Sequence, residues 1–323
     1  MNCLFLQHSH VFKTGSNGFF KDLLVQLGYE VHSVSRDDFN LNQVEGCDLV
    51  VLFQADNLIA YFEELKIPVL VIPMLDEALH QSSNFFRHTR NFQYLSFSKD
   101  LHQFLTLSGN NSIYLQYWPE VPIQTSEKID RVFFWERTPV HVSLSNVQTW
   151  FLNSNLLISI RQHWDPNHSG TEYQGNSTQV ELLASDWLDR SSFEEILASS
   201  KVFIAPRRWE GIGMSALEAM AHGNAVVGID SPALRDYVID GKSGVLIKTW
   251  NKDRSLPPLN WERLGQQARN QAIKGRMRFE REASKKIRIS IKKAAKVKRR
   301  KRLPLIPRRL TLRKFIFLKD FQR

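Results

Sequence analysis

Short apolar segments alternate with segments of helical periodicity along most of the 323 residues of this chain. Strands that are separated by helices pair in parallel, and the helices then cover both faces of the sheet. A first series of strands is predicted at residues 3–7, 30–33, 49–53, 69–72, 94–97 and 112–115, with helices at 19–27 and 100–107. This series predicts one Rossmann-like domain.

A second series of the same type follows the linker 117–122, which contains Pro119 and Pro122. Its strands are predicted at 132–135, 156–160, 202–205, 225–229 and 245–247, and its helices at 193–199, 215–222, 233–239 and 261–272. Two such domains commonly hold a ligand in the cleft between them. We therefore predict an α/β chain with two Rossmann-like domains, 1–120 and 126–265, facing across a cleft, a closing helix at 266–282 and a basic tail at 283–323.

The net charge of +10 is distributed unevenly along the chain. Residues 271–323 hold 21 Lys and Arg against three acids, a net of +18, which leaves 22 basic and 30 acidic residues, a net of −8, in the first 270. The basic character therefore belongs to the C-terminal segment and not to the two predicted domains.

The cysteines and the apolar segments indicate the compartment. Cys3 and Cys47 have neither the number of a disulfide framework nor a metal-ligand spacing, and we interpret them as reduced thiols. No apolar run approaches the ~20 residues of a membrane-spanning helix. Residues 1–8 lack the charged leader of a signal peptide, so we expect a cytoplasmic protein.

Two carboxylates, Glu210 and Glu218, lie on either side of a loop that contains Gly211 and Gly213. Glycines let the backbone approach a ligand, and the start of the helix that follows offers unpaired amides to a diphosphate. Carboxylates accept hydrogen bonds from pairs of sugar hydroxyls. The segment therefore predicts a nucleotide-sugar site. An alternative for Glu218 is a capping box with Ser215, worth ~1 kcal/mol, which leaves Glu210 and the glycines unexplained.

Residues 205–213 together with 217–221 resemble the donor-site signature of the retaining glycosyltransferases of family four, which have the GT-B fold. The order and spacing of 223–228 and 234–246 extend the resemblance, which is most specific over 185–250. It implies that Glu218 holds the ribose hydroxyls and that Glu210 contacts the transferred sugar. The backbone amides that it places next to the donor are those of Gly211, Ile212, Gly213 and Met214.

The same family uses an Arg and a Lys after the first strand of its second domain to bind the diphosphate. Arg137 stands at the first of these positions, but Val142 stands where the Lys is expected. Arg207 and Arg208 are the predicted substitutes, because a guanidinium binds phosphate in bidentate fashion. An exposed surface charge is the alternative for each arginine.

The first domain contributes further candidates. The resemblance implies a glycine-rich loop against the donor after the first strand, which here contains Gly15 and Gly18. Asp76 follows the fourth strand, at the carboxyl edge of the sheet, and His80 lies four residues further on. Both are candidates for acceptor binding or proton handling, and a helix cap or a surface pair is the alternative.

The sequence contains no Asp-x-Asp triplet and no His or Cys cluster with metal-ligand spacing. We expect neither a metal nor a cofactor, and we expect amides and arginines to stabilise the leaving group. The resemblance implies that the anomeric configuration is retained, and it identifies no protein nucleophile.

Small and apolar residues recur at four-residue intervals among the cations of the basic tail, at Ala283, Ile287, Ile291 and Ala295. Such a helix is typical of a protein that lies on an anionic membrane, each nearby cation contributing ~1 kcal/mol. The prolines of 303–307 end the helix, and 315–318 is a further apolar segment. A solvated tail and binding of a polyanion or nucleic acid are the alternatives.

Together these features predict a glycosyltransferase that moves a sugar from a nucleotide-sugar donor to a glycan or lipid-linked acceptor. We expect it to act at the inner face of the membrane, in surface polysaccharide biosynthesis, without a specific nucleic acid partner. A sugar-nucleotide epimerase and a non-catalytic binder of the same fold are the alternatives.

Overall fold

The computed structural model describes residues 1–81, 83–124, 126–166, 168–175, 177–184, 188–296 and 312–321. The chain divides into two compact units, one built from Met1–Tyr117 and the segment from Arg278 onward, the other from Trp118–Met277. Each unit contains a six-stranded parallel sheet with helices. The predicted α/β class with two Rossmann-like domains is confirmed.

The first sheet contains the strands β1 (Asn2–Gln7), β2 (Glu30–Ser35), β3 (Leu49–Phe53), β4 (Val69–Ile72), β5 (Gln93–Ser96) and β6 (Asn111–Tyr114). They pair in the order β2-β1-β3-β4-β5-β6. β3 and β4 are buried along their whole length, as expected for apolar strands that are covered on both faces. The strand order reverses between β1 and β3, which is where open α/β sheets commonly bind ligands.

The helices of residues 1–117 are α1 (Val11–Thr14), α2 (Gly18–Gln26), α3 (Leu75–Ala78), α4 (Ser83–His88) and α5 (Lys99–Leu107). The amphipathic α2 buries Phe20 and Leu24. The centroid of the Phe20 ring lies 6.3 Å from that of Phe5 and 6.0 Å from that of Phe53. This aromatic cluster fixes α2 against β1 and β3, so the loop from β1 to α2 is held at the carboxyl edge of the sheet.

The second sheet contains β7 (Ile129–Glu136), β8 (Leu157–Gln162), β9 (Val180–Ala184), β10 (Ser200–Ile204), β11 (Ala225–Ile229) and β12 (Gly244–Ile247). Their order is β12-β11-β10-β7-β8-β9, so β7 lies between β10 and β8. The sequence did not predict β9. This strand lies at the edge of the sheet and leaves Leu182 46% exposed, so it lacks the continuous apolar pattern of a central strand.

The helices that connect these strands are α6 (Leu144–Trp150), α7 (Arg190–Ser199), α8 (Met214–Ala221) and α9 (Pro232–Arg235). The unpredicted α6 begins with a capping box between Ser143 and Asn146 and buries Val147 and Trp150 in the core. The helix predicted at 233–239 is limited to α9, which has four residues.

The longest helix, α10 (Trp261–Lys296), has 36 residues and joins the predicted helix 261–272, the predicted closing helix 266–282 and the first part of the basic tail in one element. Asn260 caps its start, since its side-chain oxygen accepts a hydrogen bond from the backbone N–H of Arg263. A Cβ atom on Gly265 would lie 2.2 Å from the carbonyl oxygen of Gly223, and one on Gly275 would lie 2.3 Å from the Trp118 ring. Glycine at both positions therefore lets α10 pack closely against the backbone of Gly223 and the indole ring of Trp118.

The stripe predicted to face a membrane is largely occupied by protein contacts. Ala283 and Ile287 are fully buried, Ile291 is partly buried and only Ala295 is exposed. A periodic apolar stripe fits a protein core as well as a membrane surface, and here its first half belongs to the core. The segment 303–307 lies outside the described residues.

The last described helix, α11 (Leu312–Phe321), also packs on the first unit. Leu312 and Ile316 are each 1% exposed, and the ring of Phe315 lies 5.8 Å from that of Phe104 in α5. Of the predicted apolar segment 315–318, only Phe317 is shown to be exposed among the side chains described. Within the described residues, no helix has the length and apolarity that a membrane span requires.

Candidate functional site

Three neighbouring strands of the second sheet carry charged residues just beyond their carboxyl ends. Arg137 follows β7, Asp165 lies three residues after β8, and Arg207 lies three residues after β10. Because the order of these strands is β10-β7-β8 and all are parallel, the three loops meet at one edge of the sheet. This edge is where the sequence predicted a diphosphate site.

The Asp165 carboxylate joins both arginines. Its Oδ1 accepts hydrogen bonds from Nε of Arg137 at 3.0 Å and from Nη2 of the same residue at 2.7 Å. Its Oδ2 accepts from Nε of Arg207 at 2.7 Å and from the hydroxyl of Thr138 at 3.1 Å. Two predicted residues are thus brought together by a third that the sequence reasoning missed, although it stands after a strand just as Asp76 does.

Burial and ion pairing shift the protonation equilibria of this cluster. Burial raises the pKa of the Asp165 carboxyl, but Arg137 and Arg207 more than offset this effect and hold it below its usual range. The pKa of Arg137 is lowered, first by burial and then by Arg207. Asp165 is therefore an anion at neutral pH. Its negative charge keeps the guanidiniums of Arg137 and Arg207 close together despite their mutual repulsion.

Further contacts hold the arginines in place. The Cζ atom of Arg137 lies 4.6 Å from the centroid of the Trp135 ring, a cation–π contact. Nη1 of Arg207 lies 3.5 Å from Oε2 of Glu210, so the predicted sugar-binding carboxylate is part of the same charged group. The third candidate, Arg208, lies over Trp209, with its Cζ 4.9 Å from the ring centroid.

The position of the missing lysine is explained by the core. Val142 is fully buried in the apolar cluster that includes Phe134 and Trp150. A lysine ammonium there would lose its hydration without a partner, which is strongly unfavourable. Arg207, paired with Asp165 and Glu210, is the additional cation that this structure places beside Arg137.

The loop after β10 leads into α8 through Gly213, which has φ 77° and ψ 45° and caps the helix without a side-chain hydrogen bond. This left-handed conformation favours glycine. Because Gly213 is the cap, Ser215 lies inside the helix and does not form the alternative capping box with Glu218. Gly211, Ile212 and Met214 complete the turn, with the amides of the first helical turn at its end.

Glu218 instead binds an arginine that the sequence reasoning did not identify. Its Oε1 accepts a hydrogen bond from Nη1 of Arg190 at 2.8 Å, and Nε of Arg190 donates to Glu194. The Glu218 side chain is 13% exposed, and burial raises its pKa although Arg190 opposes this. Arg190 stands at the first position of α7, where Asp189 caps the helix, and that cap is a signal visible in the sequence.

The candidates of the first unit lie at the carboxyl edge of its sheet. Asp76 lies in the first turn of α3 and accepts the backbone N–H of Glu77 at 3.1 Å. His80 is exposed and follows the end of α3. Gly15 ends α1 with φ 62°, and Gly18 begins α2 in open space.

The neighbour of Asp76, Glu77, forms an ion pair with Arg36. Nη1 of Arg36 donates to the Glu77 carboxylate at 3.1 Å and to the carbonyl of Gln54 at 2.8 Å. Burial raises the pKa of Glu77 to about 7, although Arg36 opposes this rise. In the described part of the chain, no group of three or more His, Cys, Asp or Glu has a metal-binding arrangement.

Residues 172–261 match the model of the family of glycosyl transferases group 1. A segment of 62 residues is 37% identical to the α-maltose-1-phosphate synthase of Mycolicibacterium smegmatis. This alignment covers 19% of this chain and only 16% of that curated relative. The matched family segment contains Arg190, Glu210 and Glu218, whereas Arg137 and Asp165 precede it.

Two solved structures are similar over nearly the whole chain. Sucrose-phosphate synthase from Thermosynechococcus elongatus is 12% identical, with a TM-score of 0.59, and covers 92% of this chain and 98% of its own. HepE of Anabaena in complex with UDP-glucose is 14% identical, with a TM-score of 0.53 and the same two coverages. The resemblance to group 1 glycosyltransferases and the GT-B fold are thereby confirmed.

Proposed function

We propose that this chain is a glycosyltransferase that moves a hexose from a nucleotide-sugar donor to a glycan or lipid-linked acceptor with retention of configuration. The observation that carries the proposal is the charged group of Arg137, Arg207 and Glu210 beside the start of α8, with Glu218 in the same helix. This group supplies cations and amides for a diphosphate and carboxylates for hydroxyls. We further propose that the product belongs to a surface polysaccharide.

Each part of a nucleotide sugar has a proposed partner in the second unit. The amides at the start of α8 and the two guanidiniums bind the diphosphate, Glu218 binds the ribose hydroxyls, and Glu210 binds the hydroxyls of the sugar. The similarity to HepE, which was solved with UDP-glucose, supports UDP-sugars as the first donors to test. Arg208 is a further proposed phosphate ligand, and Asp76, Gly15 and Gly18 are the proposed contributions of the first unit.

The proposed reaction breaks the bond between the anomeric carbon and the diphosphate oxygen. The acceptor hydroxyl oxygen bonds to the same face of that carbon, and its proton passes to the departing phosphate. Arg137 and Arg207 stabilise the negative charge that develops on the leaving group. These residues are proposed to act without a metal ion, in keeping with a sequence that has no Asp-x-Asp triplet.

A thermal-shift panel of UDP, GDP, ADP and their sugars tests the proposal. We expect one base to raise the melting temperature, because a ligand at 100 times its Kd stabilises the folded state by about 2.7 kcal/mol. That corresponds to a shift of roughly 5–10 °C for a domain of ordinary size. The proposal is wrong if no nucleotide shifts the transition. Product analysis of the stabilising donor then distinguishes transfer from epimerisation and from binding without turnover.

We also propose that α10 brings the enzyme to an anionic membrane surface through its cations. Because Ala283 and Ile287 are buried, the helix offers the surface its opposite side, the cationic face. This face consists of the exposed residues Arg281, Lys285, Arg288, Lys292 and Lys296. Their spacing of three or four residues places them in one row. Such a row binds by charge and not by apolar insertion.

Vesicle sedimentation tests the cationic face. The change is Lys285, Arg288 and Lys292 to glutamate in the full chain. The matched control reverses Lys242, Arg254 and Arg263, which are exposed outside the cationic face. Each cation near the surface contributes about 1 kcal/mol, so the loss of three lowers binding to phosphatidylglycerol vesicles by at least 100-fold. The control should bind as the parent does. The proposal is contradicted if the parent, the variant and the control bind phosphatidylglycerol vesicles equally well. It is also contradicted if the parent binds vesicles made of phosphatidylcholine alone.

A further inference from the structure

The group at the carboxyl edge of the second sheet has equal numbers of opposite charges. Arg137 and Arg207 carry two positive charges, and Asp165 and Glu210 carry two negative ones. All four side chains are at most 22% exposed, so little solvent separates them. Within this group of four side chains, the two carboxylates cancel the positive charge that the two guanidiniums offer to a diphosphate.

Asp165 also occupies the hydrogen-bond donors that a diphosphate needs. Its carboxylate accepts hydrogen bonds from Nε and Nη2 of Arg137, which form one bidentate edge, and from Nε of Arg207. A phosphate that binds the same edges competes with this carboxylate both for N–H groups and through charge repulsion.

Resting on the proposed function, we propose that Asp165 is a positioning residue that holds Arg137 and Arg207 without donor and yields their N–H groups to the diphosphate. It thereby sets how strongly the site prefers a nucleoside diphosphate to the nucleoside. The residue touches the two binding side chains and is not assigned a contact with the sugar.

The backbone at Asp165 is held by hydrogen bonds that do not involve the carboxylate. The backbone N–H of Asp165 donates to the carbonyl of Arg137 at 2.9 Å, and the backbone N–H of His168 donates to the carbonyl of Asp165 at 3.0 Å. The side chain is therefore able to exchange partners while the backbone of Asp165 keeps its position. The Thr138 hydroxyl is a remaining donor for the carboxylate after the arginines turn to phosphate.

The sign of the expected effect follows from the charges. Neutralising Asp165 removes one negative charge and leaves the two guanidiniums in excess over Glu210. A diphosphate then binds more tightly, whereas an uncharged nucleoside does not respond. A residue that served only to hold the fold would change the affinity for both ligands alike, or weaken the diphosphate.

The experiment measures Kd by calorimetry for UDP, UMP and uridine, with GDP, GMP and guanosine in parallel, on the parent and on Asp165→Asn. We expect Asp165→Asn to tighten diphosphate binding at least tenfold and to leave nucleoside binding within twofold. An unchanged or smaller ratio of diphosphate to nucleoside affinity overturns the inference. If no nucleotide binds the parent protein, it is the proposed function that fails.

A second variant keeps the test informative if Asp165→Asn does not fold. Thr138→Val removes one hydrogen bond to the carboxylate and leaves all four charges in place. It weakens the hold on Asp165 after phosphate has bound, so UDP binding should become two- to threefold weaker and uridine binding should not change. A Thr138→Val protein with unaltered UDP affinity overturns the inference as well.

Discussion

Replacing Glu218 by alanine should lower the affinity for the stabilising nucleotide by about 100-fold or more. The proposed ribose contact consists of two hydrogen bonds to a charged acceptor, each worth about 1.5–3 kcal/mol, and 3 kcal/mol corresponds to roughly two orders of magnitude in Kd. Burial strengthens this effect, since the Glu218 side chain is only 13% exposed. Calorimetric titration of the parent and the variant with the same nucleotide measures the change.

The matched control for this prediction is Glu194→Ala. Glu194 binds the same arginine, Arg190, but is 45% exposed and is not assigned to the donor. Its loss should change nucleotide affinity by less than about fivefold, because an exposed ion pair contributes about 0–1 kcal/mol. If both variants bind the nucleotide equally well, Glu218 is a structural partner of Arg190 and the ribose assignment is wrong.

The sequence predicted those parts of the fold whose pattern is set locally. β3 and β4 are fully buried runs of apolar residues, and such runs are predictable because both faces of a central parallel strand meet helices. The loop from Glu210 to Met214 was equally predictable from the sequence. Its positive φ at Gly213 is one that few residues other than glycine adopt. Edge strand β9 was missed, because partly exposed residues break its apolar pattern.

The missed residues of the candidate site depend on neighbours that are distant in the chain. Asp165 joins Arg137 and Arg207, which are 28 and 42 positions away, and only the strand order brings the three together. Arg190 is likewise separated from Glu218 by 28 positions. A rule that every charged residue after a strand is a candidate would have included Asp165, but no local feature says which cation it binds.

The basic segment shows what periodicity leaves undecided. The four-residue interval correctly indicated a helix through Ala283 and Ile287, but the interval is the same for a helix on a membrane and for one on a protein core. The structure assigns the apolar side to the core. What remains for a partner is the cationic face, whose energetics depend on ionic strength and not on apolar area.

A large effect on stability is expected at Gly265. A Cβ atom there would lie 2.2 Å from the carbonyl oxygen of Gly223 and 3.5 Å from the backbone nitrogen of Ala225. Both neighbours are backbone atoms, one in the turn between α8 and β11 and the other at the first residue of β11, so neither moves without displacing the other. Overpacking of this kind costs about 1–3 kcal/mol or more, which exceeds the gain of up to about 1 kcal/mol from replacing a helical glycine by alanine.

Gly265→Ala should therefore lower the melting temperature by roughly 4–8 °C, taking about 2 kcal/mol of net destabilisation and 2–4 °C per kcal/mol. Gly18→Ala is the control, because Gly18 also lies in a helix but has no atom within 4 Å of the added Cβ. We expect that control to raise the melting temperature by no more than about 4 °C, because alanine gains up to about 1 kcal/mol of helix propensity. If Gly265→Ala melts at the same temperature as the parent, α10 does not approach Gly223 this closely.

Because Gly223 ends the turn after α8, loss of this contact should also weaken nucleotide binding at temperatures just below the transition. Gly18→Ala, by contrast, should leave the unfolding of the second unit unchanged.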